Sequence, residues 1–254
     1  MREVDEALAR VYAQRPTAEH PAVPPGPHVP PRGEPRRPPA SESGFVSLRW
    51  PATVLTLEEG YGDRFSRLAD ALIESRDRRH RKVLLFTSCH RAEGRTTLVL
   101  TLARALARRP GRTLLVDADL AGPMLGRLLD LRPEIGLDDV VERGDALAEA
   151  LVEAPGDHLT ILPLRAAVAN PRGFLAGPAW SCVAARLRRE FDLVLLDGGP
   201  LFAGLGTEVP HRGVDAAVLV HNRALTGDRA IRRASEALET AGIPLLGLAE
   251  TFTE

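Results

Sequence analysis

Between Lys82 and Ala249 the apolar residues follow two alternating periods. Six short runs are nearly continuous in apolar residues: 83–88 (VLLFTS), 113–119 (TLLVDAD), 159–164 (LTILPL), 192–198 (DLVLLDG), 215–222 (DAAVLVHN) and 243–249 (IPLLGLA). Between several of them, stretches 96–109, 145–153, 178–190 and 226–241 read as helices. Short buried strands alternating with helices predict an α/β fold: a doubly wound, mostly parallel sheet with helices on both faces. A further helix is predicted over 63–76, where Phe65, Leu68, Leu72 and Ile73 line one stripe. The basic run 76–82 (RDRRHRK) follows it. Two readings of that run stand: a solvated helix end whose cations offset the C-terminal dipole, or a docking patch for an acidic partner.

Upstream the periodicity breaks. Residues 16–40 hold ten of the 21 prolines, which fix φ and remove donors, so this segment is expected to be a disordered, extended tether. A polyproline ligand for an adaptor is the alternative. Ahead of it, Val4, Leu8, Val11 and Tyr12 share one helical face, giving a short amphipathic helix too short to be stable alone. It docks on its own domain or a partner, or is a frayed terminus. The expected organisation is a helix at 1–14, a Pro-rich linker at 15–46 and one α/β domain at 47–254.

Composition changes this picture little. The chain has 254 residues, 44% of them apolar, enough for one sizeable core and a tail. Its net charge of −1 gives no footing for nucleic-acid binding or a membrane-surface role. Two cysteines, Cys89 and Cys182, make no disulfide framework and fit a reducing compartment. No run approaches the ~20 apolar residues of a membrane span, and the N-terminus lacks a secretion-signal core. The expectation is a cytoplasmic protein. Lys82 is the only lysine, so arginine is the default cation and no single arginine stands out by type.

The chemistry gathers at strand ends, where doubly wound sheets bind ligands. Residues 89–97 (CHRAEGRTT) lie between a strand and a helix, so backbone N–H groups and the helix dipole face an anion there. Of the phosphate-loop pattern G-x-x-x-x-G-K-[ST], Gly94 and Thr96 match and Cys89 and Arg95 do not. Asp117 and Asp119 end a second strand, where they suit a hydrated Mg²⁺ and an attacking group or simply cap a turn. Asp197 ends a third strand before Gly198-Gly199-Pro200, the Walker B arrangement. A thiol at a helix N-terminus can ionise, which gives Cys89 a minor redox reading. No zinc-spaced Cys/His cluster and no G-x-S-x-G elbow occurs, and Ser181 has no obvious base.

From about residue 58 to 251 these motifs, with "NPRGFLAGP" and "VDAAVLVHNRALT", run in an order that resembles the cytoplasmic domain of bacterial tyrosine kinases (BY-kinases) of capsule and exopolysaccharide export. These are P-loop NTPases related to the division-site and partition ATPases. The resemblance implies ATP and Mg²⁺ as cofactors. Ala92, Glu93, Gly94, Arg95, Thr96 and Thr97 would cradle phosphate. Thr96, Asp117, Asp119 and Asp197 would hold the metal, and Asp117, Asp119 and Arg95 would be catalytic. It also implies a membrane-embedded export partner, reached through the N-terminal helix, the proline tether or the 76–82 run, and a homo-oligomer.

Four departures bear on the chemistry. The family loop reads close to P-G-E-G-K-[ST], but here Ala92 replaces a glycine and Arg95 the lysine, which keeps the charge and adds a planar fork. The terminal tyrosine cluster is absent, since Tyr12 and Tyr61 are the only tyrosines. Ser66 and Ala69 stand where the family carries ring-assembly arginines. His90 stands where partition-type ATPases carry a second lysine. Three readings follow: a nucleotide-dependent kinase or ATPase switch, a kinase-like scaffold without phosphotransfer, and, more remotely, a partition-type ATPase.

Overall fold

The computed structural model of the chain describes residues 46–202 and 210–252. The expected helix at 1–14 and residues 15–45 of the expected tether lie outside the described residues. Seven strands form one sheet in the order β3-β4-β2-β5-β1-β6-β7. They are β1 (Val83–Ser88), β2 (Thr113–Ala118), β3 (Val152–Ala154), β4 (Leu159–Leu162), β5 (Leu193–Pro200), β6 (Ala216–His221) and β7 (Leu245–Glu250). All pairings are parallel except β3 with β4. The helices are α1 (Ala52–Arg79), α2 (Arg95–Ala107), α3 (Leu125–Leu128), α4 (Leu137–Glu142), α5 (Leu147–Ala150), α6 (Pro171–Ala176), α7 (Pro178–Glu190) and α8 (Asp228–Thr240).

Apolar runs become strands because both sheet faces are buried. Every residue of β1, β2, β5 and β6 is buried. Alternate side chains divide between two cores. Leu84, Phe86, Leu115, Leu193 and Leu195 join Val54, Leu72, Val99 and Leu106 of α1 and α2. Leu85, Leu114, Val116, Val194 and Leu196 join Phe174 of α6 and Trp180, Val183 and Leu187 of α7. Each such aliphatic side chain contributes about 1.5–3 kcal/mol relative to exposure. This is the expected doubly wound architecture, and it stacks the ends of β1, β2 and β5 side by side.

Two of the predicted helices differ from the sequence expectation. The helix expected at 63–76 runs from Ala52 to Arg79 and bends at Tyr61 (φ −134°, ψ 19°). Gly60 and Gly62 flank that residue, and glycine pairs permit such kinks. Its last turn holds Arg76, Arg78 and Arg79, which fits the helix-end reading of the basic run. The expected helix at 145–153 is instead a short α5 and the antiparallel strand β3, because Pro155 and Gly156 turn the chain back onto β4.

Candidate functional site

The turn between β1 and α2 carries two left-handed residues. Gly94 (φ 77°) is the N-cap of α2, and Ala92 has φ 62°. A Cβ on Gly94 would stand 3.2 Å from the Phe252 ring and 3.3 Å from Thr251. Glycine is therefore required there both by backbone angle and by the C-terminal segment lying against the turn. Ala92 takes the same angle without glycine's freedom. Beyond Gly94 the first amides of α2 have no partner within the helix, the condition for receiving an anion.

Glu93, though within the loop, turns its side chain away. Its buried carboxylate accepts hydrogen bonds from His90 N at 2.7 Å, Asn222 N at 3.3 Å and the Thr226 hydroxyl. The Thr251 hydroxyl donates to Glu93 O at 2.7 Å. The loop is thus pinned to the β6–α8 connection and to the residue after β7.

The three aspartates converge, as the strand ends require. Asp117 and Asp197 are register partners on β2 and β5. Both are buried, as is Asp119 one residue beyond β2. Between them lies the Arg95 guanidinium. Its Nε donates to Asp197 Oδ1 at 2.8 Å, Nη2 to Asp119 Oδ2 at 3.1 Å and Nη1 to Ser88 Oγ at 3.3 Å. Arg91 arches over to the same carboxylate, with Nη1 3.1 Å from Asp119 Oδ2. A Cβ on Gly122 would stand 2.9 Å from that Arg91 group, so the small residue makes room for the arch.

Asp117 faces its own loop. Its Oδ2 accepts from Met124 N at 2.9 Å and Leu125 N at 2.8 Å, and its Oδ1 from Asp119 N at 3.3 Å. Burial, with the Asp197 charge adding to it, outweighs those amides and pushes the carboxyl up to about 7. Burial also raises Asp197, against the pull of Arg95 and a hydrogen bond from Thr96. Burial alone would depress the Arg95 guanidinium, but Asp197 and Asp119 hold it above its ordinary value. The Cys89 thiol is pushed up to about 11 by burial and by Glu93, so the thiolate chemistry weighed from its position is not supported.

The site therefore offers the backbone amides at the start of α2 to an anion, with the half-exposed Arg91 at its rim. A magnesium ion fits the present arrangement poorly, because Arg95 and Arg91 hold oxygens of Asp119 and Asp197, and backbone amides hold both oxygens of Asp117. Among the described residues, no group of three or more His, Cys, Asp or Glu side chains is placed to hold a metal ion. Sequence reasoning located Gly94–Thr97 and the aspartates. It did not identify Ser88, Thr226, Thr251 or Phe252 as parts of this neighbourhood, because their contacts cross from other strands and leave no local motif. Nor did it give a role to Arg91, whose contact with Asp119 spans 28 residues of sequence.

No protein-family model matches the chain. Its homologues are bacterial tyrosine-protein kinases. The chain is 26% identical over 168 residues to tyrosine-protein kinase CpsD of Streptococcus pneumoniae, covering 66% of this chain and 74% of the relative. It is 28% identical over 171 residues to YwqD of Bacillus subtilis, covering 67% and 72%. Its fold is similar to the VpsO kinase domain, with a TM-score of 0.67 at 23% identity over 78% of this chain and 99% of that one. It is also similar to the septum site-determining protein MinD of Pyrococcus horikoshii, solved with Mg-ADP (TM-score 0.53, 26% identity, 66% and 68% covered). The P-loop NTPase fold is common to them.

Proposed function

We propose that this homologue of bacterial tyrosine kinases binds ATP or ADP at Ala92–Thr97 and acts as a nucleotide-dependent kinase or ATPase switch in capsule or exopolysaccharide assembly. The observation that carries the reading is the meeting of the α2 N-terminus with Asp119 and Asp197 around one guanidinium. The amides of Gly94–Thr97 and the α2 dipole would orient the β-phosphate, and Thr96 would fix the near oxygen. Asp117, Asp119 and Arg95 are the residues proposed for chemistry. The resemblance assigns Mg²⁺ to Thr96, Asp117, Asp119 and Asp197, but the carboxylate oxygens are here taken by Arg95, Arg91 and backbone amides. Among the described residues no helix is long and apolar enough to cross a membrane. A membrane-embedded export protein is the proposed partner, with the N-terminal segment or the basic end of α1 as its contact.

The second reading, a scaffold without phosphotransfer, is favoured by one observation: Arg95, at the family's lysine position, is spent on carboxylates. Calorimetry of ADP and ATP on the wild type and Arg95→Lys, followed by turnover assays, separates the two. A switch binds nucleotide and gains turnover with the lysine. A protein that takes up neither nucleotide in either form leaves only the scaffold.

A further inference from the structure

The arginine pair has a chemical identity of its own. A guanidinium whose Nε and Nη2 reach two different buried carboxylates, Asp197 at 2.8 Å and Asp119 at 3.1 Å, stands where two acids from neighbouring strands would share a cation. Its side chain is only 10% exposed, and Ser88 Oγ takes a third N–H. Arg91 places a second positive charge on the same Asp119 oxygen at 3.1 Å. Two acids already matched by two guanidinium groups have little attraction left for a dication, which would also meet the repulsion of both arginines. Arginine stays charged even when buried, where lysine readily loses its proton, and its planar donors can bridge both acids at once.

We propose that Arg95 is the resident cation of this site, and that the nucleoside di- or triphosphate is held without a divalent metal. The inference rests on the nucleotide reading above. The negative charge of Asp119 and Asp197 beneath the terminal phosphates is cancelled by Arg95, which bridges them, and by Arg91 on Asp119, so the acids no longer repel the phosphates. The amides of Gly94–Thr97 hold the phosphates from the other side, and Arg91 closes the rim toward Gly122. Lysine at 95 would bring a compact ammonium without the planar fork that spans both acids here, which would leave their outer oxygens open to a metal.

The test is titration of fluorescent ADP and ATP analogues in excess EDTA and in excess Mg²⁺, on the full chain and on Arg95→Lys. Electron paramagnetic resonance of Mn²⁺ counts bound metal in parallel, and circular dichroism confirms that the variant folds. The wild-type affinity is expected to stay within about twofold between the two conditions, with Mn²⁺ left free, while Arg95→Lys tightens at least about tenfold with metal and takes up Mn²⁺. A wild type that tightens tenfold with Mg²⁺ and binds Mn²⁺ overturns the resident-cation inference and leaves the nucleotide reading standing. An Arg95→Lys protein as indifferent to metal as the wild type also overturns it, by removing Arg95 as the cause. If neither protein binds nucleotide under either condition, the inference falls together with the nucleotide reading.

Discussion

Asp117 shows how one buried acid ties the site to pH. Its carboxyl is held near 7 in the folded chain against 3.8 ordinarily. The folded state thus keeps a proton that the unfolded chain releases between those values. The resulting stabilisation is fully present below the lower value and is lost as pH rises through the upper one. Denaturant midpoints should fall as pH goes from about 5 to 8, and Asp117→Asn should flatten that slope whatever its own absolute stability. An equal slope in both proteins would mean that Asp117 is ionised throughout. Ala92 carries a different strain. A non-glycine residue at φ 62° costs about 1–2 kcal/mol, partly offset by the greater unfolded freedom of glycine. Ala92→Gly should therefore stabilise the fold by roughly 0.5–1 kcal/mol in urea unfolding. The aspartates were legible because each ends an apolar run, and strand ends are where such sheets bind. The direction of Arg95 was not, since a motif position fixes the Cα of a residue and leaves the path of a four-bond side chain open.

Elements made of continuous apolar residues were legible too, because burial on both faces demands that composition. The strands β1, β2, β5 and β6 were read to within about two residues at either end, within the ordinary ambiguity of helix and strand boundaries. Short elements resisted. Strand β3 has three residues, only one of them buried, and becomes a strand by pairing with β4 rather than by its own pattern. The first half of α1 was hidden by Gly60 and Gly62, whose turn-like signal the packing of Val54 against the α2 side of the sheet overrides. Between elements, Glu93 is the joint: its carboxylate gathers donors from the phosphate loop and from the β6–α8 turn. Glu93→Ala would leave buried donors without an acceptor, at about 1–3 kcal/mol each, and free the turn from the loop. The expected result is a loss of roughly 2–4 kcal/mol, with faster amide exchange at Asn222 and His90 than at the centre of β1. Unchanged exchange at Asn222 would show that the turn is held by other contacts.

At the scale of the molecule, six parallel strands send their C-terminal ends to one edge of the sheet: β4, β2, β5, β1, β6 and β7 in spatial order. The phosphate loop follows β1, the acids lie at or just past the end of β2 and in the second half of β5, the turn holding Glu93 follows β6, and Thr251 follows β7. A ligand at this edge contacts groups whose strands cannot separate without breaking both cores. Binding there should accordingly couple to global unfolding rather than to a local loop. A nucleotide present at about a hundredfold over its dissociation constant stabilises the folded state by about 2.7 kcal/mol if the unfolded chain has no affinity for it. For a domain of roughly two hundred residues that amounts to a rise in melting temperature of about 5–10 °C. Because Arg95 serves as the cation, the same rise is expected in EDTA and in Mg²⁺, measured by differential scanning calorimetry at matched saturation. A rise confined to Mg²⁺ would reassign the acids to a metal. No rise at full saturation would show that the nucleotide associates with the unfolded chain as well, and the folded site at this edge would then have no part in its binding, because a ligand held only by the folded chain cannot leave the unfolding equilibrium unmoved.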